Sequence, residues 1–331
     1  MRLLQFLRRR VSLLGMRKNR VISGRSRLPR GFTLIELLVG IILAFLVLAP
    51  LLGFMINIMG TDRQEQAKAT SEQEIQIALD YISQDLEQAV YIYDADGLNN
   101  SSTDNSPGIK DQIPPIAKDS ANCTDPSSCI PVLVFWKREF NQDTVPVADS
   151  TSNQKDDSFV YSLVAYYLIK NNSSNKNSIG SNAAQIGRFQ IKDGVRNPDD
   201  SNSYINENDP NIGRSPGFKP FDLSLAGNLK QKMNKWTNAG QDYTARTDIL
   251  INYIDQGDVT ANCPATTQQV PSTLAGGFYA CVDSSITLAQ AYIRGNALAR
   301  VQDSAKYTPS LSAYFPTASI QVQGRGLLNV Q

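Results

Sequence analysis

From Phe32 to Met59 almost every side chain is apolar, and Glu36 is the only charge in the run. No other stretch limits the chain so tightly. At a rise of ~1.5 Å per residue, a helix of this length covers roughly 40 Å, enough to cross a bilayer. Ten basic residues, Arg2 to Arg30, and no acidic one precede it. The positive-inside bias therefore predicts a cytoplasmic N-terminus, a single pass through the inner membrane, and export of everything after Met59.

Two ordinary readings of such a run fit poorly. A cleaved secretory signal has a core of about 7–15 apolar residues followed by an A-x-A site, and this run is about twice as long. The nearest such triplet, Ala67-Lys68-Ala69, lies well beyond the run, and no cysteine follows the run closely enough to carry a lipid. A plain signal anchor fits the hydropathy but leaves Glu36 unexplained. An ionised carboxylate in hydrocarbon costs on the order of 3 kcal/mol even on insertion scales, so it normally marks a partner.

The stretch Gly31-Phe32-Thr33-Leu34-Ile35-Glu36 resembles the class III signal of type IV pilins and type II secretion pseudopilins. The resemblance implies a cut after Gly31 by a prepilin peptidase and methylation of the new Phe32 amine. It also implies that Glu36 meets the N-terminal amine of a neighbouring subunit during assembly on an inner-membrane platform. A buried carboxylate is tolerable when a cation pairs with it, so the electrostatics agree. Residues 1–31 then form a basic cytoplasmic leader. That leader is long for the family, and Met16 is an alternative start to Met1.

Removing the leader leaves 22 basic against 31 acidic residues, a formal charge of −9. An acidic exterior argues against nucleic acid as a partner. The chain has no histidine. Ser-His-Asp and Cys-His catalysis and His-ligated zinc are therefore excluded, no spacing suggests carboxylate or Ser-Lys catalysis, and no enzyme, cofactor or metal is expected. The cysteines fall as two close pairs, Cys123 with Cys129 and Cys263 with Cys281. An exported domain favours disulfides, and the sequential pairing is preferred because each pair bounds its own loop. Free thiols are the alternative, and the gaps match no zinc pattern.

Within the apolar run, Gly40, Pro50 and Gly53 weaken the helix, and Pro50 removes a backbone donor where the helix should kink or open. The resemblance makes Pro50 a candidate hinge in a filament. Past Gly60, Ile75, Leu79, Ile82, Leu86, Ala89 and Tyr93 recur at steps of four and three, widened by Ala78 and Val90. This predicts an amphipathic helix over 60–93, continuous with the anchor helix over 32–59. Asp94, Asp96 and Asn99 on a glycine turn offer hard oxygen ligands, but an EF-hand needs a later glycine and a terminal glutamate. A solvated turn is preferred over calcium there.

The remainder, 94–331, reads as β-rich with long polar insertions. Strands are expected at 132–136, 159–169, 185–191, 248–254, 277–282 and 319–322, with a short helix over 223–236 and a closing segment over 285–301. The fold expected is α+β and type IV pilin-like: a long N-terminal helix packed on an antiparallel sheet with long loop insertions. The size resembles that of a large minor subunit. Tyr166-Tyr167-Leu168 and Tyr292-Ile293-Arg294-Gly295-Asn296-Ala297-Leu298, with the N-terminal motif, look like cyanobacterial pseudopilins of the hormogonium polysaccharide secretion group. That resemblance implies a filament role in polysaccharide export and gliding motility, with other pseudopilins and exported polysaccharide as partners. Composition and periodicity show no polysaccharide. A second function class is an anchored adhesin or glycan reader at a pilus tip, using Tyr91, Tyr93, Trp136 and Trp236 for stacking. Most of those rings are better explained as core.

Overall fold

The computed structural model of the chain describes residues 31–115, 123–147, 154–171, 183–209, 211–302 and 305–326. All of the leader but Gly31, and its alternative start at Met16, fall outside them. The chain divides into two units, residues 1–57 and 58–331.

Helix α1 runs over Leu34–Glu87. Within the first unit its described residues are all solvent-exposed, although nearly all are apolar. In the second unit α1 buries one stripe, Ile75, Ala78, Leu79, Ile82 and Leu86. These join one core with the strands that follow. The helix stops at Glu87, short of the expected Tyr93, and Ala89–Ile92 forms strand β1. Ala89 and Tyr93 continue the helical spacing, but Val90, Tyr91 and Ile92 are β-formers. Pairing of Tyr91 with Trp136 and Ile92 with Phe135 satisfies their backbone in a sheet instead.

A short helix α2 (Ala95–Asn99) lies in the expected polar loop and is capped by Asp94, whose Oδ1 accepts from the Gly97 N–H at 3.2 Å. Then come β2 (Cys129–Pro146), β3 (Lys155–Ile169) and β4 (Ala184–Lys192). The expected loop after β4 carries a two-stranded ribbon, β5 (Arg196–Asn197) and β6 (Asp200–Tyr204). Helix α3 (Leu229–Asn234) is shorter than the expected 223–236, starting at a capping box between Asn228 and Gln231. Strand β7 (Asp248–Ile254) completes an antiparallel sheet in the order β1-β2-β3-β4-β7.

Strands β8 (Gln268–Val270), β9 (Phe278–Asp283), β10 (Leu288–Arg294) and β11 (Thr317–Gln323) form a second antiparallel sheet, ordered β11-β10-β9-β8. A bridge between Ile254 and Gly295 joins the two. Gly295 lies close under α1: an added Cβ would sit 2.8 Å from Cδ1 of Ile75, which would have to shift. A long apolar helix followed by an antiparallel sheet domain is the α+β, type IV pilin-like arrangement expected from the sequence.

The five-stranded sheet is covered on both faces. On one, Asp85 of α1 meets Lys137, Tyr166 and Arg188 from β2, β3 and β4. On the other, Trp136 packs edge-to-face against Phe218, Phe221 and Trp236, with ring centroids 5.1–5.8 Å apart. Its indole N–H donates to the Tyr93 hydroxyl at 3.0 Å, which donates to the Met233 carbonyl at 3.0 Å. The chain of bonds leaves no buried polar tip on these rings unpaired.

Candidate assembly site

The backbone is non-helical through Gly31, Phe32 and Thr33, and α1 begins immediately after. Thr33 starts it. The Glu36 N–H donates to the Thr33 carbonyl at 3.0 Å and to its Oγ1 at 3.3 Å, so the hydroxyl satisfies one orphan donor of the first turn. The Gly31–Phe32 peptide bond therefore lies in exposed, non-helical chain one residue ahead of the cap.

Glu36 sits in that first turn, where a negative charge is favoured by the helix dipole. A new α-amine at Phe32 would be a cation at the same helix end, the unfavourable polarity, and so would need a nearby carboxylate. Around Glu36 the surface is greasy: Phe32 is 80% exposed, Leu34 85% and Ile35 70%. Exposed apolar residues continue to Met59. The helix is long and apolar enough to cross a membrane. A surface like this requires lipid or other apolar helices against it, and a lone carboxylate on it requires a cation. The helix runs unbroken through Pro50. Proline has no N–H to give, so the carbonyl one turn earlier, on Leu46, lacks its helical donor.

A second charged feature, absent from the reading of the sequence, lies at the other end of α1. Asp85 is buried on α1, and its Oδ1 accepts from Lys137 Nζ at 2.8 Å. Oδ2 accepts from Arg188 Nε at 2.8 Å and from the Tyr166 hydroxyl at 2.6 Å. Lys137 also meets Glu139 at 2.7 Å. Burial alone would raise the Asp85 carboxyl, but Arg188 and Lys137 together outweigh it and hold the group below the usual carboxylate range. Burial raises the Tyr166 hydroxyl, and the Asp85 charge raises it further, so it remains a donor. These four side chains fix the end of α1 on three strands at once. A signal was available: Asp85 lies seven residues after Ala78 and three after Ile82, on the apolar stripe rather than opposite it.

Asp94 and Asp96, the calcium candidates, converge instead on a cation from the chain itself. Lys230 Nζ lies 2.6 Å from Asp94 Oδ2 and 2.7 Å from Asp96 Oδ2. The remaining Asp94 contacts are Ser284 Oγ at 3.0 Å and the Gly97 N–H. The hydrogen bond from Lys230 holds the Asp96 carboxyl below its usual value. An ammonium occupies the place a metal would take, and Asn99 joins neither carboxylate. Calcium at millimolar concentration is therefore expected to leave the melting temperature of the chain unchanged. A site with Kd a hundredth of the calcium concentration would add about 2.7 kcal/mol and several degrees, a shift that differential scanning fluorimetry would register.

Cys123 is bonded to Cys129 and Cys263 to Cys281, with Cα separations of 5.3 and 5.5 Å. In the chain-entropy model, loops this short add about 2–3 kcal/mol each. The rings offered for stacking are buried: Tyr93 and Trp136 are 0% exposed, Tyr91 1% and Trp236 3%. They are core.

Residues 27–52 match the family model of the prokaryotic N-terminal methylation motif. The match covers the signal and the first part of α1, including Gly31, Phe32, Glu36 and Pro50, and it supports a pilin or pseudopilin that assembles into a filament. The motif implies processing by a prepilin peptidase and assembly with other pilins, a role that is structural rather than enzymatic. With a single apolar helix behind it, it fits a single-pass membrane anchor. Neither a curated protein nor a solved structure matches the chain.

Proposed function

We propose that the chain is the precursor of a minor pseudopilin, cut between Gly31 and Phe32, methylated on the Phe32 amine, and inserted into a filament of the cell envelope. The observation that carries this is the joining of an exposed Gly31–Phe32 bond to a helix whose apolar surface bears one carboxylate, Glu36, in its first turn. Cleavage creates the cation that such a carboxylate requires. In the filament, Glu36 of one subunit pairs with the Phe32 amine of a neighbour, and the apolar surface passes from lipid to other subunits' helices. The N-terminus lies in the cytoplasm and the sheet domain outside it, as the ten basic leader residues and two disulfides favour. Pro50, with one helical bond already missing, is where α1 stretches or opens as a subunit leaves the membrane.

The narrower reading, a filament for polysaccharide export and gliding, is supported by the resemblance at Tyr166-Tyr167-Leu168 and Tyr292 to Leu298. Much of both segments packs inside the domain: Tyr166 and Tyr167 are buried in β3, and Gly295 lies against α1. The tip-located glycan reader built on Tyr91, Tyr93, Trp136 and Trp236 has no accessible ring among those four.

Gly31→Val tests the processing step. The variant is expected to stay in the membrane at precursor mass, with none in the sheared surface fraction. Recovery of Gly31→Val from that fraction would contradict the proposal.

A further inference from the structure

The outward face of the second sheet carries a feature that neither the anchor nor the core uses. Tyr279 of β9 and Tyr292 of β10 are directly paired across the strands, and their rings stack in parallel, 4.7 Å between centroids and 5° between planes. On the other side of Tyr292 the paired residue is Ser319 of β11. A large ring thus stands beside a small side chain on an exposed edge strand, and a groove of about 350 Å³ opens there. Thr317 and Ser319 line it from β11, and Val259 and Thr260 from the loop after β7. The Cys263–Cys281 disulfide ties that loop to β9 three residues beyond Thr260, so the groove is set before anything binds.

The charge balance narrows the occupant. Arg294 also lines the groove, but its guanidinium is committed. Nε donates to Asp255 Oδ2 at 2.7 Å, one terminal nitrogen lies 2.5 Å from that oxygen and 2.7 Å from the Asp258 carbonyl, and the group sits 4.6 Å over the Tyr307 ring. Asp255 is buried against it as an ion pair, so the two charges offset each other. No uncompensated cation or anion lines the groove, which disfavours phosphates, carboxylates and amines as ligands. Hydroxyls remain, beside one aromatic face whose negative π-cloud attracts polarised C–H groups. An aromatic side chain would fill the space and leave those hydroxyls without partners. A ring with C–H bonds on one face and hydroxyls around its edge satisfies both.

We infer that the Tyr292–Ser319 groove is a binding site for a neutral sugar ring, which stacks on Tyr292 and exchanges hydrogen bonds with Thr260, Thr317 and Ser319. The site belongs to a single subunit and rests neither on filament assembly nor on the export reading. A groove of this size holds one or two rings.

The test uses the full chain in a polyoxyethylene detergent, since alkyl-glycoside detergents carry the proposed ligand. Methyl β-glucoside, methyl β-galactoside and N-acetylglucosamine are offered at millimolar concentration, with glucuronate and N-acetyltyrosinamide as comparators, and saturation transfer is read by NMR. At least one neutral sugar should take up saturation, strongest on one face of its C–H groups. Ser319→Phe, which fills the groove from an exposed position, should cut the signal at least tenfold, as should Tyr292→Ala. Thr317→Phe fills the same groove independently if either of these fails to fold. Absence of transfer to every neutral sugar overturns the inference. So does a signal that survives folded Ser319→Phe or Thr317→Phe, or stronger transfer to glucuronate or N-acetyltyrosinamide.

Discussion

Asp85→Ala is expected to destabilise the sheet domain by about 3–5 kcal/mol, a large part of the 5–15 kcal/mol that a folded protein holds in reserve. The substitution removes a small side chain, so lost packing is a minor part. The cost arises because the buried Lys137 and the part-buried Arg188 stay in place after their common carboxylate has gone, and Tyr166 loses its acceptor. Lys137 keeps Glu139 at 2.7 Å, whereas Arg188 keeps the neutral Gln190 side-chain carbonyl at 2.6 Å and the faces of Tyr81 and Tyr166, with no carboxylate. Arg188 therefore carries most of the loss, which points to the lower end of that range. Replacing Asp85, Lys137 and Arg188 together by leucine and methionine should recover part of the stability, since the unpaired Arg188 is gone while Glu139 loses Lys137 and Tyr166 still lacks its acceptor. Urea titrations followed by circular dichroism would measure both. A loss under about 1 kcal/mol for Asp85→Ala would place the attachment of α1 in its apolar stripe alone.

The same carboxylate gives acid sensitivity a definite sign. Its folded value is lowered, so the stability it adds is complete above the ordinary aspartate range near ~3.9. That stability is lost as pH falls through the lowered folded value. Wild type should lose stability on acidification below about pH 4, and Asp85→Asn should lose less over the same interval.

Glu36→Gln and Glu36→Lys are expected to separate processing from assembly. The cut at Gly31–Phe32 precedes the Thr33 cap and uses no contact of the Glu36 side chain seen in the structure. Both variants should therefore be trimmed normally. The glutamine variant should not lose membrane insertion, because removing a carboxylate from an apolar helix eases insertion by up to about 3 kcal/mol. What is lost is the partner for a neighbour's amine. The glutamine variant should fall at least tenfold in the sheared filament fraction. The lysine variant should be absent from it, since two cations would then face each other in a medium of low dielectric. Quantitative blotting of membrane and sheared fractions makes the comparison. Normal incorporation of Glu36→Lys would remove the docking role.

The anchor and its signal are the most legible parts of this chain, because their physics is local. One uninterrupted apolar run and one misplaced charge suffice. The strand cores were legible too: the run from Phe159 to Ile169 lies inside β3. The end of α1 was not. Helical spacing and β-propensity disagree over Ala89–Ile92, all four residues are buried, and only pairing with β2 decides between them. The Asp85 cluster was hidden for a related reason. Its partners are 52, 81 and 103 residues away, and nothing local marks Lys137 or Arg188 as facing α1. Lys230 neutralising Asp94 and Asp96 is likewise a long-range fact, and it turned a plausible ligand set into an ion pair.

The central claim concerns one peptide bond and one amine. Intact-mass and N-terminal peptide mass spectrometry of the chain recovered from its native membrane addresses both. The account predicts a mature chain beginning at Phe32, carrying one methyl group on its α-amine, with Gly31 and the residues before it gone. A chain in which the Gly31–Phe32 bond is intact, or one that begins with an unmodified residue beyond Phe32, would contradict it.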